Sequence, residues 1–330
     1  MKPFAFLFVF LSTAVLSSPV RAGTGPELAG LDRVIASPGC EVLFPREETM
    51  PREWIVERCR LAIAAVRTRI PTEIPSSLTV RVAPTDSLFR AWTGGRLPEW
   101  GVGAALPAKR SVVIRFTGKE REREELDRVL RHEVAHVMLA QACADERVPR
   151  WFDEGVAMAA SESVTTSHVW ILARGVIGGS IVPLVKLNSG FPESEPLARL
   201  AYAEGRDAIR FIEERWGEEA LRWIFRDMAA GSDFRTAIRR NTGFSPVIFG
   251  LAWERDAKER YGALGLLHDS AALWGVVAVA VVIGGVVRRR RVIIHARGEA
   301  LDAGGEGPAH WAPASTSVPD DEIGDSVTEG

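Results

Sequence analysis

The feature that most constrains the fold is a pair of histidines, His132 and His136, in the segment HEVAH. Residues four apart lie on one face of an α-helix, because a turn takes about 3.6 residues. Two imidazoles in this arrangement can bind one side of a zinc ion. Glu133, the next residue after His132, can then activate the water in the open coordination position. Apolar residues surround the motif, so the sequence predicts a core helix that also supplies metal ligands.

A second segment, WFDEGVA from Trp151 to Ala157, follows a break at Pro149 and predicts another helix. Catalytic zinc takes three protein ligands, and a carboxylate from a neighbouring helix is one standard third ligand. Asp153 and Glu154 both offer such a carboxylate. The residues alone leave the choice between them open.

Together the two motifs resemble those of the gluzincin metallopeptidases, the group of thermolysin and the zinc aminopeptidases. The wider run from 97 to 157 is similar to the peptidase MA-like group of bacterial gluzincins. The resemblance implies that Glu154 is the third zinc ligand, with Asp153 as hydrogen-bond partner of a ligand histidine. The other clan with this histidine motif adds a glycine and a third histidine downstream. This chain has Leu139 and Ala142 at those positions, so that clan is excluded.

The resemblance also implies the fold and the catalytic residues. The expected fold is α+β: a zincin-like domain with a small mixed sheet, a zinc-binding helix pair and a helical carboxyl-terminal lobe. Glu133 would be the general base, and a tyrosine or histidine of the carboxyl-terminal lobe commonly stabilises the oxyanion. Tyr202 is the candidate; the alternative is an ordinary buried tyrosine. Arg206 is a weaker candidate for the same role, and Tyr261, near the predicted membrane segment, is expected to be an anchor.

The expected activity is zinc-dependent hydrolysis of peptides or proteins. In gluzincins a sheet edge beside the zinc helix pairs with the extended substrate, and its counterpart here is either 98–105 or 111–116. The stretch GVGAA from Gly101 to Ala105 lacks the acidic anchor with which aminopeptidases bind a free amine. This favours an endopeptidase. The alternative is an inactive zincin-like scaffold that binds peptides or envelope partners, against which the intact Glu133 argues.

The ends of the chain predict export and a membrane anchor. Residues 1–22 combine Lys2, an apolar run and a small-residue end, as in a signal peptide; an uncleaved signal anchor is the alternative. The apolar run 271–287 is followed at once by four arginines, which predicts a transmembrane helix over 266–287. The positive-inside rule then places the domain 23–265 outside the cytoplasm, in the periplasm or at the cell surface. The tail 288–330 is expected to be cytoplasmic and disordered.

Hydrophobic periodicity predicts the other elements, which are helices at 51–70, 86–92, 195–216, 218–230, 234–240 and 246–261 and strands at 78–82 and 111–116. Asp86 is the predicted cap of the short helix. The aromatic residues Trp216, Trp223, Phe225 and Trp253 are expected to form the core of the carboxyl-terminal lobe.

The charge distribution and the cysteines indicate whether nucleic-acid binding and disulfide bonds are expected. The 41 basic and 43 acidic residues are interleaved, so no nucleic-acid surface is predicted. In an exported protein Cys40 and Cys59 can pair, which would leave Cys143 as a small buried residue. The sequence contains no indication of the oligomeric state.

Overall fold

A five-stranded mixed sheet forms the first layer of the fold, with the strand order β1-β2-β3-β5-β4. The computed structural model describes residues 31–46, 50–70, 78–95, 102–161, 166–269, 274–275 and 277–289. The strands are β1 (Leu31–Ser37), β2 (Cys40–Pro45), β3 (Leu78–Ala83), β4 (Gly103–Leu106) and β5 (Ser111–Arg115). The β1–β2 and β4–β5 pairs are antiparallel, whereas β2–β3 and β3–β5 are parallel.

Nine α-helices follow or connect these strands in the described residues up to Asp269. They are α1 (Arg52–Arg69), α2 (Asp86–Thr93), α3 (Glu120–Ala142), α4 (Arg150–Ser161), α5 (Thr166–Ile177), α6 (Glu195–Trp216), α7 (Glu219–Ala229), α8 (Phe234–Thr242) and α9 (Pro246–Asp269). The predicted α+β class, the small mixed sheet and the helical carboxyl-terminal lobe are confirmed.

The sheet is buried on both faces, and this explains the apolar runs in its central strands. In β5, Val112 and Ile114 join the main core with α1 and α3, while Val113 faces the smaller cluster formed with α2. A strand covered on both sides needs apolar residues at successive positions rather than at alternate ones. The main core therefore fixes α3 directly against the sheet.

Strand β4 lies at one edge of the sheet, and no other strand in the described ranges pairs with its outer side. Strand β5 lies one position further in. Of the two segments predicted to face a peptide, only the one containing β4 therefore has an edge available; residues 98–101 of that segment lie outside the described residues.

Several details differ from the sequence predictions. Strands β1 and β2 and helix α5 were not predicted. Helix α2 is capped by Thr85, whose Oγ1 accepts a hydrogen bond from the Leu88 backbone amide at 3.3 Å, and not by Asp86. Trp223 is 48% exposed and does not belong to the core of the carboxyl-terminal lobe.

Tyr261 is a structural residue of the carboxyl-terminal lobe and not a membrane anchor. It is 4% exposed, and its hydroxyl donates to Asp207 Oδ1 at 2.6 Å. The indole of Trp253 donates to the other oxygen of Asp207 at 3.0 Å, and Arg210 Nε donates to Oδ1 at 2.7 Å. Asp207 thus ties α9 to α6, because a buried carboxylate needs partners for both oxygens.

Cys40, Cys59 and Cys143 are all free and buried. The predicted bond between Cys40 and Cys59 is therefore not formed in this structure. Burial raises the pKa of both Cys40 and Cys143 to about 12, so these thiols are inert core residues rather than nucleophiles.

The chain divides into one unit up to Asp269 and a second from Ser270 onward. In the second unit, residues 274–275 and 277–289 are helical and their side chains are exposed. No helix within the described ranges is long and apolar enough to cross a membrane. The predicted signal peptide, nearly all of the predicted tail and part of the predicted transmembrane segment lie outside the described residues.

Candidate metal centre

The site is built where α3 and α4 pack together after a sharp reversal of the chain. Ala144 and Asp145 have positive φ values of 51° and 59° just after α3, which turns the backbone away from the helix. Helix α4 in turn packs closely on α6. A Cβ added to Gly155 would lie 2.3 Å from the Gly205 carbonyl oxygen, so only glycine permits this approach. The tight crossing holds α4 in position against α3.

Three side chains from these two helices converge on one point. The Nε2 atoms of His132 and His136 are 3.2 Å apart, and Glu154 Oε2 lies 3.3 and 3.6 Å from them. A tetrahedral zinc ion with bonds of about 2.0–2.2 Å separates its ligand atoms by about 3.3–3.5 Å. The three donors therefore have the spacing that such an ion requires, and together they can hold a metal ion.

Asp153 sets the orientation of one of these histidines. His136 Nδ1 lies 2.6 Å from Asp153 Oδ1, and the His136 ring is buried. When Nδ1 is the protonated nitrogen that donates to the carboxylate, Nε2 presents its lone pair to the other two donors. The two candidate carboxylates thus have different positions: Glu154 faces the common point, and Asp153 supports a ligand.

Arg150 supports the third ligand, and sequence reasoning missed it. Its Nη2 lies 2.5 Å from Glu154 Oε1, and the Glu154 side chain has no exposed surface. Burial alone would raise the pKa of Glu154, but the Arg150 guanidinium and the His136 imidazole outweigh it and hold this pKa well below its usual value. Glu154 is therefore ionised and ready to bind a cation. The sequence does contain a signal for this contact, because Arg150 and Glu154 are four residues apart and residues with this spacing are neighbours on a helix.

Glu133 lies behind the edge strand of the sheet and beside the donor triangle. It is fully buried, and neither carboxylate oxygen makes a hydrogen bond of normal geometry within the described part of the chain. A Cβ on Gly103 of β4 would lie 2.8 Å from Glu133 Oε1. Burial raises the pKa of Glu133 to about 8, and the charge of His136 partly opposes this shift. A carboxyl with such a pKa can both accept and return a proton near neutral pH.

A comparison with known families supports the assignment that the geometry suggests. Residues 96–256 match the model of a family described as the Peptidase MA superfamily. This part of the chain belongs to the Peptidase MA superfamily. The predicted resemblance is thus confirmed, and the group of His132, His136 and Glu154 fits the zinc site of an HExxH protein. No curated protein matches the chain.

Within this Peptidase MA domain, Tyr202 lies on α6 close to the supporting arginine. Its ring is 3% exposed and packs edge-on against Phe191, with the ring centres 4.8 Å apart. The Arg150 guanidinium lies over the same Phe191 ring at 6.0 Å. Burial alone would lower the pKa of Arg150, but its charge interactions with Glu154 and then Tyr202 raise it. Because such interactions weaken with distance, the Tyr202 phenol lies near the Arg150 guanidinium.

Arg206, the weaker candidate, lies one turn further along α6, and the buried His168 lies on α5. Arg206 is 6% exposed, and His168 is 3% exposed. Neither residue belongs to the donor triangle of the Peptidase MA domain.

Proposed function

We propose that the chain is a zinc-dependent peptidase of the gluzincin type that hydrolyses internal peptide bonds. The main support is the triangle formed by His132 Nε2, His136 Nε2 and Glu154 Oε2, with edges of 3.2, 3.3 and 3.6 Å. A histidine, histidine and carboxylate set with an adjacent glutamate is a standard ligand set of hydrolytic zinc sites. The membership of residues 96–256 in the Peptidase MA superfamily supports the same activity.

Glu133 acts as general base and then as general acid. Zinc in this site would lower the pKa of a water molecule and polarise the substrate carbonyl. The Glu133 carboxylate accepts a proton from the attacking water and afterwards donates it to the amine that leaves. Burial raises the pKa of Glu133 to about 8, and the charge of a zinc ion beside it would oppose this shift and favour the carboxylate that accepts the first proton.

Strand β4 supplies the surface for the extended peptide. Its outer edge is not paired with another strand within the described residues, and its backbone at Gly103 lies against Glu133. A substrate that adds to this edge would have its main chain held beside the general base. An endopeptidase is favoured because no acidic anchor occurs in the stretch from Gly101 to Ala105.

Tyr202 is the proposed donor to the oxyanion of the tetrahedral intermediate. Its position next to Arg150, which binds Glu154, supports a place close to the reacting carbonyl. Removal of one oxyanion donor typically lowers kcat by about 100- to 1,000-fold. The expected result for Tyr202→Phe is a loss of kcat in this range with little change in KM or in zinc content. If Tyr202→Phe has the same kcat as the wild type, Tyr202 only packs against Phe191 and does not bind the oxyanion.

We place the peptidase domain outside the cytoplasm, held by the carboxyl-terminal apolar segment. The support comes from the signal-like residues 1–22 and from the four arginines at 288–291. Protease digestion of intact cells or spheroplasts tests this location. Protection of the peptidase domain from added protease, with cleavage of the tail, would reverse the proposed topology.

The decisive experiment measures zinc and cleavage in the same preparations. The full-length wild-type protein is compared with Glu133→Gln and Glu154→Ala, and a mixed peptide library is the substrate. We expect about one zinc per chain and cleavage in the wild type. Glu133→Gln should retain zinc and lose about 100- to 10,000-fold in rate, while Glu154→Ala should lose zinc.

The outcomes separate the peptidase from the inactive scaffold. Zinc at one per chain without cleavage of any peptide would favour a scaffold, because metal binding alone does not need Glu133. Wild-type protein without zinc would refute the metal centre itself. Asp145→Asn is a suitable control, because Asp145 is exposed and its positive φ is tolerated by asparagine.

A further inference from the structure

Arg206 is a buried cation whose charge the protein leaves largely unmatched. The residue is 6% exposed, and its Nε and Nη1 atoms make no hydrogen bond within the described part of the chain. An unpaired charge in the protein interior is strongly unfavourable, because burial removes the water that would solvate it. Such a group is uncommon unless a ligand supplies the missing partner.

The acidic residues near Arg206 are already bound to other groups. Glu213 is ion-paired with Arg69 of α1. Asp207 accepts from Arg210, Trp253 and Tyr261. Burial lowers the pKa of Arg206; the charges of Glu213 and Asp207 raise it, and those of Arg69 and Arg210 lower it further. The surroundings therefore lack a free anion for this guanidinium.

A buried imidazole, that of His168, lies beside it. Burial lowers the pKa of His168, and the guanidiniums of Arg206 and then Arg128 lower it further. Two cations that act on one imidazole must lie close to it, since such interactions weaken steeply with distance. Helices α3, α5 and α6 therefore bring Arg128, His168 and Arg206 to one region.

Helix geometry places this region next to the metal centre from two directions. Arg128 precedes His132 by four residues on α3, and Arg206 follows Tyr202 by four residues on α6. Residues with this spacing are about 5–6 Å apart at their Cβ atoms. Tyr202 neighbours Arg150, which binds Glu154. Arg128 is thus one helical turn from His132, and Arg206 is one helical turn from Tyr202.

We propose that Arg206, flanked by His168 and Arg128, is an anion-binding subsite that takes a carboxylate of the peptide substrate. This inference rests on the proposed peptidase function and names its substrate class. A guanidinium binds a carboxylate through charge-assisted hydrogen bonds, and the Nε and Nη1 atoms of Arg206, which have no partner in the described residues, are donors for such bonds. The carboxylate is either the free carboxyl terminus of the peptide or an acidic side chain near the cleaved bond.

Binding, rather than turnover, gives the direct test. The full-length, zinc-loaded Glu133→Gln protein is titrated by calorimetry with acetyl-trialanine and with its carboxyl-terminal amide. A second pair consists of amidated peptides that differ only in glutamate against glutamine. We expect the carboxylate member of at least one pair to bind about 10- to 100-fold more tightly, as for hydrogen bonds to charged groups. The pair that shows the preference identifies the source of the carboxylate.

Substitution of Arg206 in the same background ties the preference to this residue. With Arg206→Met the preference should fall below about twofold, and Arg206→Lys should retain part of it, because it keeps the charge without the planar fork. Equal binding of both members of both pairs in the Glu133→Gln protein would overturn the proposal. A preference that persists in Arg206→Met would overturn it as well.

Thermal unfolding without ligand separates this role from a structural one. Arg206→Met removes an uncompensated buried cation, so the unfolding midpoint should stay equal or rise. A clear fall of the midpoint together with an unchanged carboxylate preference would make Arg206 a structural ion-pair residue. Cleavage by the wild-type protein is measured separately, so failure of the peptidase activity is distinguishable from failure of the subsite.

Discussion

Replacement of Asp153 should weaken zinc binding without removing a zinc ligand. The Asp153 carboxylate lies 2.6 Å from His136 Nδ1, and the His136 side chain is 1% exposed, so water cannot readily replace the bond. Asp153→Asn still offers an oxygen acceptor but removes the charge, which makes a charge-assisted bond an ordinary one of about half the strength. We expect zinc affinity to fall about tenfold, or ~1.4 kcal/mol. For Asp153→Ala, which leaves the Nδ1 donor without a partner, we expect about 100-fold, or ~2.7 kcal/mol.

The assay is competition for zinc with a chelator of known affinity, at fixed pH and salt, on the full-length protein. Asp145→Asn is the matched control, because it makes the same chemical change at an exposed carboxylate and should leave the affinity unchanged. Glu154→Ala sets the scale for loss of a direct ligand. If both Asp153 variants bind zinc within about twofold of the wild type while Glu154→Ala does not, the supporting role of Asp153 is refuted.

Two further predictions follow from close packing and from a buried acid. Gly103→Ala places a Cβ 2.8 Å from Glu133 Oε1, so kcat should fall about tenfold or more with zinc content unchanged. Gly190→Ala, which meets no atom within 4 Å, is its control, and equal kcat values in both variants would contradict the role of β4. Burial raises the pKa of Glu204 from 4.5 to about 8. Between these two pH values the folded state keeps a proton that the unfolded state releases. The free energy of unfolding should therefore fall as the pH rises from 4.5 to about 8. Glu204→Gln preserves the acceptor for the Val182 amide and should remove roughly 5 kcal/mol of this fall in urea titrations, whereas identical pH profiles would argue that Glu204 is ionised.

The helices were predictable where their apolar residues recur at helical spacing. The predicted helix 195–216 coincides with α6, and 51–70 differs from α1 by one residue at each end. These helices bury one face, and that requirement is visible in the sequence. Helix α5 was missed because its apolar residues form a continuous run from Val169 to Ala173 instead of recurring at helical spacing.

Strands β1 and β2 were missed for a different reason. Strand β1 is mostly half-exposed and contains Asp32 and Arg33, so its pattern does not stand out from a loop. It is stabilised by pairing with β2, and β2 in turn pairs with β3 across the intervening helix α1. Such pairing joins residues that are distant in the chain, so the local strand propensity of a segment does not reveal it.

At the metal centre, the sequence by itself determined which residues are donors. Residue type and helical spacing placed His132 and His136 on one face, and the second motif added Asp153 and Glu154 as candidates. Helical spacing is a local property, so it can be recognised in the sequence without knowledge of the rest of the fold. The resemblance to gluzincins then selected Glu154.

Only the tertiary structure decided how those donors are supported and what lies beside them. The crossing of α4 and α6 at Gly155 and Gly205 sets the position of Glu154, and the pairing with Arg150 keeps it ionised. The burial of Glu133 behind β4 and the unmatched charge of Arg206 likewise arise from packing between segments that are far apart in sequence. Burial and charge pairing are properties of the assembled core, because the energy of a charge depends on every group that replaces water around it.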